Sequence, residues 1–196
     1  MVMHASYGEA LPINEFGMRR FELLVEKAER QNVNIVLENM RKTSLIVLTA
    51  NLLEKFNTPQ FGFCFDSGHH NARVSKVPEH DLLSRFGDRL MALHLHDNDG
   101  IDDQHRLPFD GITDWSSIMK AVVNTGYINA TALEVKNLTN GKAIYVPLEG
   151  GTHELDNMAE EAIKIAFEWL VPILSETRRS LRPRTAQAAR HKRLYQ

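Results

Sequence analysis

A chain of 196 residues, 43% hydrophobic and 24% charged, has the make-up of a globular domain able to bury one sizeable core. No stretch approaches the roughly 18 consecutive apolar residues of a membrane span, and the start MVMHASYGEA lacks the basic-then-apolar pattern of a secretory signal, so a cytoplasmic location is expected. The net charge of −2 is uneven: seven Lys/Arg and no Asp/Glu fall in residues 178–196, which leaves −9 on the rest, an acidic body that disfavours nucleic acid as a partner.

The chain opens with MVMHAS, which reads as the end of a strand. Over NEFGMRRFELLVEKAERQ, Phe21, Leu24, Val25 and Ala28 recur at helical spacing behind Asn14, a good cap residue, and predict a helix. VNIVLEN is β-branched and too short for a helix, so it reads as a strand. A helical stretch over residues 45–56 leads to FGFCFDSGHH, a strand that breaks at Ser67-Gly68. DLLSRF is a short helix, and LMALHLHD is the next strand. A long loop then ends at PFDGITDW, and DWSSIMKAVVNTG is a capped helix with Trp115, Ile118, Met119 and Val122 on its core face and Gly126 as its stop. ATALEV is a further strand, residues 137–153 a loop that can hold a short strand in AIYVP, and a last helix is expected from Asn157 to about Pro172. Strands alternating with amphipathic helices are the signature of βαβ units. Residues 1–177 are therefore taken as one domain and 178–196 as a basic, disordered tail with too few large apolar groups to offset its ordering entropy. The lone Cys64 cannot form an internal disulfide and reads as a small core residue.

Every clear strand ends in a side chain of metal-ligand type: His4, Glu38, Asp66, His94 and Glu134. From Glu38 the steps are 28, 28 and 40 residues, each long enough for a strand, a crossover helix and two loops. Parallel strands would bring these tips to one rim, which in a (β/α) barrel is the active-site face. Taken singly, a glutamate at a strand end is usually solvated or caps a helix. Glu38 and Glu134, however, both follow apolar residues, in IVLEN and TALEV, where an unpaired carboxylate is costly and a bound cation relieves the cost. The stretch HLHDNDGIDDQH, residues 94–105, adds more of the same chemistry, with seven of twelve side chains His or Asp. It does not fit the H-x-H-x-D-H pattern of a metallo-β-lactamase-like hydrolase, because Asn98 and Asp99 stand where Asp and His would be needed.

Together VNIVLENM, GFCFDSGHHN, LMALHLHDNDGIDDQHRLPFDGITDW and TALEV resemble the xylose-isomerase-like TIM-barrel superfamily over about residues 1–170. That superfamily holds sugar-phosphate isomerases and epimerases and endonuclease-IV-type enzymes. The resemblance implies an α/β fold of the (β/α)8 TIM-barrel type, incomplete at the N-terminus because the first two β/α units are missing. It implies a divalent metal, Mn²⁺, Mg²⁺ or Co²⁺, with Zn²⁺ favoured if more histidines join. By motif the ligands are Glu38, Asp66, His94 and Glu134, with His96 the alternative to His94; strand alternation would point both imidazoles to the same side. Glu38 and Glu134 are also the implied catalytic pair, moving a proton through an enediolate stabilised by the cation. His69, His96 and His105 are expected to contact substrate, and His4, Asp103 and His105 are further metal ligands by likeness to the endonuclease branch. The expected substrate is a sugar or polyol. The alternatives are a metal-dependent phosphodiesterase and a truncated, inactive remnant that binds metal or sugar. The open strand edges of a partial barrel would be covered or paired with another chain, as in a homo-oligomer. Two departures from the family pattern stand out: Ser44 occupies the position of a substrate-contacting glutamate, and no arginine follows the metal histidine in the epimerase manner.

Overall fold

The structure is a computed structural model that describes residues 1–6 and 13–136, together with the backbone of the strand Ala143–Pro147. Its sheet runs β1 (Val2–Met3), β2 (Ile35–Glu38), β3 (Phe61–Asp66), β4 (Leu90–Leu95), β5 (Ala132–Lys136) and β6 (Ala143–Pro147), in spatial order identical to chain order. The first five strands are parallel, and β6 returns antiparallel to β5, so the strand foreseen in AIYVP forms a hairpin. Helices α1 (Glu15–Gln31), α2 (Thr43–Lys55), α3 (Ser67–Asn71), α4 (Leu82–Phe86) and α5 (Trp115–Asn124) fill the crossovers. Parallel neighbours in sequential order, joined by helices, are the arrangement of a TIM barrel, here a curled part of one. The expected last helix, the basic tail and the boundary at residue 177 lie outside the described residues.

Alternation along the strands sorts the side chains between two environments. Ile35 and Leu37, then Phe61, Phe63 and Phe65, then Leu93 and Leu95, and finally Leu133 and Val135 pack with the helices in one apolar core. The residues between them, including Glu38, Cys64, Asp66, His94 and Glu134, face the barrel interior. Helix ends follow local chemistry. Asn14 caps α1 by accepting from the Gly17 amide at 2.9 Å, and Asn32 closes it with a left-handed φ of 50°. Asp81 and Asp114 cap α4 and α5 in the same way. Helix α2 starts two residues earlier than its hydrophobic pattern suggests, because Lys42 at its N-cap offers no side-chain acceptor to mark the start. The Arg89 guanidinium binds the carbonyls of Leu53, Phe56 and Phe61, satisfying acceptors left over at the end of α2 and fixing where β3 begins.

Candidate metal centre

The strand tips converge as the topology requires. One ligand atom each from Glu38, Asp66, His94 and Glu134 lies within 4.8 Å of all the others. Glu38 ends β2 at 3% exposure; its Oε2 and the Glu134 Oε2 each stand 3.0 Å from His94 Nδ1, so two carboxylates flank one imidazole. The other Glu38 oxygen is 3.3 Å from His4 Nε2 and 3.1 Å from His69 Nδ1. Cys64 sits one step down the barrel from Asp66, also within reach of Glu38 and His94. Burial and the surrounding carboxylates push its thiol well above the usual range, so it remains protonated and apolar in character, in line with a core residue.

His96, Asp103 and His105 form a second group with ligand atoms within 4.8 Å of one another. His96 is wholly buried, and its ring stacks on His105 at 4.1 Å and 8°. Asp103 Oδ1 is 3.7 Å from His96 Nε2 and 3.4 Å from His105 Nε2. Asp66 and His69 stand between the groups: Asp66 Oδ1 is 3.0 Å from His96 Nε2, and His69 Nε2 is 3.2 Å from Asp103 Oδ2. Sequence alternation would place His94 and His96 as equivalents. They enter different groups, because β4 ends at Leu95 and His96 lies beyond the ladder.

Two buried polar side chains that motif reasoning passes over hold this rim together. The Asn39 side chain donates to the Asp66 carbonyl at 2.9 Å and accepts the Asp66 amide at 2.8 Å, extending the β2–β3 ladder by one side-chain rung. Its own carbonyl lies 2.9 Å from His69 Nδ1. Since Nδ1 faces only acceptors, it carries the proton and directs Nε2 toward Asp103. The Ser67 hydroxyl bridges β3 and β4 likewise, donating to the His96 carbonyl at 2.7 Å and accepting the His96 amide at 2.9 Å. Gly68 is required next door, because a methyl group there would overlap the His96 ring. The signal for these residues was their place immediately after Glu38 and Asp66.

Crowded carboxylates set the electrostatics. Burial alone would raise the Glu38 carboxyl and lower both histidines. Hydrogen bonds from His4, His69 and His94 instead hold Glu38 well below the usual carboxylate range. Against the cost of burial, Glu134 and Glu38 raise His94 to about 10, and Asp66, Asp103 and Glu38 raise His69 to about 11. Asp103 is likewise held well below its ordinary value despite burial, by His105 and His69. In the absence of a cation, two imidazolium ions thus occupy its electrostatic role.

The residues present fit a divalent cation. Asp66 Oδ2 and His96 Nδ1 are buried with no hydrogen-bond partner among the described residues, the condition that a metal ion relieves. Three carboxylates and an imidazole in the first group suit Mn²⁺, Mg²⁺ or Co²⁺; the imidazole-rich second group suits Zn²⁺ better.

The family model of the xylose isomerase-like TIM barrel matches residues 8–171, and the chain belongs to that family. It is 38% identical over 112 residues to the Sinorhizobium fredii protein y4fM, described as uncharacterized; that match covers 56% of this chain and 35% of y4fM. Among solved structures, a D-allulose 3-epimerase from Methylomonas sp. superposes with a TM-score of 0.61 at 19% identity, over 86% of this chain and 59% of that one. A D-tagatose 3-epimerase-like protein gives 0.59 at 20% identity, over 82% and 55%. At such identities the likeness establishes the fold. The chain spans about a third of y4fM and somewhat over half of the epimerase structures.

Proposed function

We propose that the protein is a divalent-metal-dependent isomerase or epimerase acting on a ketose-like sugar or polyol. The observation that carries this reading is the meeting of Glu38 and Glu134 on either side of His94 with Asp66 alongside, four groups from four strands at one barrel mouth. Glu38, Asp66, His94 and Glu134 would hold the cation, which polarises a substrate carbonyl and acidifies the neighbouring C–H. The chain's own part is proton handling and orientation. Glu38 and Glu134 lie across the group from each other and would be the acid-base pair: the one that starts as carboxylate takes the carbon-bound proton, and the other, starting as the acid, returns one. Glu38 serves as base only once the histidine hydrogen bonds that hold it low are released. His69, its Nδ1 proton committed to the Asn39 carbonyl and Glu38, would orient a hydroxyl or join the ligands through Nε2. The fold's neighbours include proteins named as ketose 3-epimerases, which supports the substrate class.

The test is exchange of carbon-bound hydrogen with ²H₂O in ketoses supplied to the metal-loaded protein. Exchange should require the cation and fall at least about 100-fold in Glu134→Gln, the usual scale of a lost acid-base group. Metal-loaded protein that exchanges no ketose proton would count against this activity. A second reading is favoured by the His96–Asp103–His105 group, since a cation held there beside one held by the first group would suit phosphodiester hydrolysis. Metal-dependent cleavage of a phosphodiester without ketose exchange would select it.

A further inference from the structure

Asp97 is wholly buried, and its carboxylate is fully committed. Oδ1 accepts the amides of Asn98 at 2.8 Å and Thr113 at 3.1 Å; Oδ2 accepts the Phe109 amide at 3.0 Å and the Trp115 indole N–H at 2.9 Å. The backbone of Asp97 also exchanges two 2.9 Å hydrogen bonds with Arg106, and the Asn98 carbonyl takes the Ile112 amide at 3.0 Å. One carboxylate therefore gathers both ends and the return limb of a loop that spans residues 98–113. That loop carries Asp103 and His105. The Arg106 rung directly follows His105, which is held at a left-handed φ of 50°, a conformation a non-glycine residue keeps only when its surroundings enforce it. Gly111 runs so close to the Asp97 carboxylate and the Asn98 carbonyl that a Cβ would collide with both. The backbone of the first group is set by the sheet, because Glu38, Asp66, His94 and Glu134 stand on or at the ends of strands; it meets the loop side where His105 Nδ1 lies 3.0 Å from the Glu134 carbonyl and where Asp66 faces His96.

We propose that Asp97 is a positioning residue that presents Asp103 and His105 to His96, making the second group a separately removable metal-binding arm of the strand-borne first group. It rests on the reading that both groups take cations, and it adds which residue decides whether the second does. The measurement is Mn²⁺ and Zn²⁺ stoichiometry of the full chain by equilibrium dialysis, for wild type, Asp97→Asn, Gly111→Ala and Asp103→Asn. The readouts beside it are the Trp115 indole ¹H–¹⁵N resonance and tryptic cleavage after Arg106 in chelator-treated protein. In Asp97→Asn the amide nitrogen replaces one acceptor facing two donors, so the loop should release. The expected result is loss of one bound cation in all three variants, with affinity at the remaining site within about threefold of wild type. Asp97→Asn and Gly111→Ala, but not Asp103→Asn, should also shift the Trp115 resonance and open the Arg106 bond to trypsin. Retention of both cations by Asp97→Asn, or loss of both by Gly111→Ala in a protein with unchanged circular dichroism, would overturn the proposal. If wild type binds no cation, the metal reading fails instead, and the Trp115 and trypsin readouts alone report whether Asp97 holds the loop.

Discussion

His94 and His69 show how a residue's environment links protons to metal. Each is raised far above a free imidazole by its carboxylate neighbours, so a cation entering the site must displace protons held at neutral pH. Metal binding at pH 7 is expected to release protons, seen as an observed enthalpy that varies with the ionisation enthalpy of the buffer, and apparent affinity should rise with pH. No dependence on buffer would contradict the protonation states inferred for both histidines. The sign for stability is opposite. A histidine whose folded value is raised stabilises the metal-free protein fully below pH 6.5, and that contribution fades as pH climbs through about 10 to 11. Chelated protein should therefore lose stability between pH 8 and 11 faster than a His94→Gln variant, measured by urea denaturation.

At this rim the strand ladders end and side chains carry the joining hydrogen bonds onward, so these joints are the fragile points. Asn39→Ala removes both bonds to the Asp66 backbone in a buried setting and should cost about 2 kcal/mol, the scale of stranding buried polar groups. Cation affinity should drop with it, since Asp66 is no longer tethered to β2. Gly68→Ala would ordinarily favour helix α3 slightly, but overlap with the buried His96 ring reverses the sign, for a net loss of about 1–3 kcal/mol by thermal or urea unfolding. These elements were largely legible in the sequence, because Asn14, Asp81 and Asp114 advertise their helices and alternation marks the strands. The convergence of Glu38, Asp66, His94 and Glu134 was legible for the same reason: parallel strands carry all four to one rim. The division of His94 from His96 was not, since a period of two holds only within the strand. Nor was Asp97's part, because its four donors come from residues up to 18 positions away and depend on how the loop closes.

At the level of the whole molecule, parallel strands in sequential order turn widely spaced residues into one charged cluster on an acidic chain. The arrangement concentrates Glu38, Asp66, Asp103 and Glu134 at the mouth of an apolar core, a placement that is costly without compensating positive charge. A cation bound only by the folded state adds stability by mass action, about 2.7 kcal/mol at a free concentration 100 times Kd, so Mn²⁺ should raise Tm in a concentration-dependent way. The central claim is that these side chains share a cation, and the most direct measurement is elemental analysis of metal bound to the full chain after dialysis, beside His94→Ala and Glu134→Gln. At least one divalent ion per wild-type chain is expected, with a clear loss in both variants. Equal metal content in all three proteins, or none in wild type under saturating Mn²⁺, would contradict it.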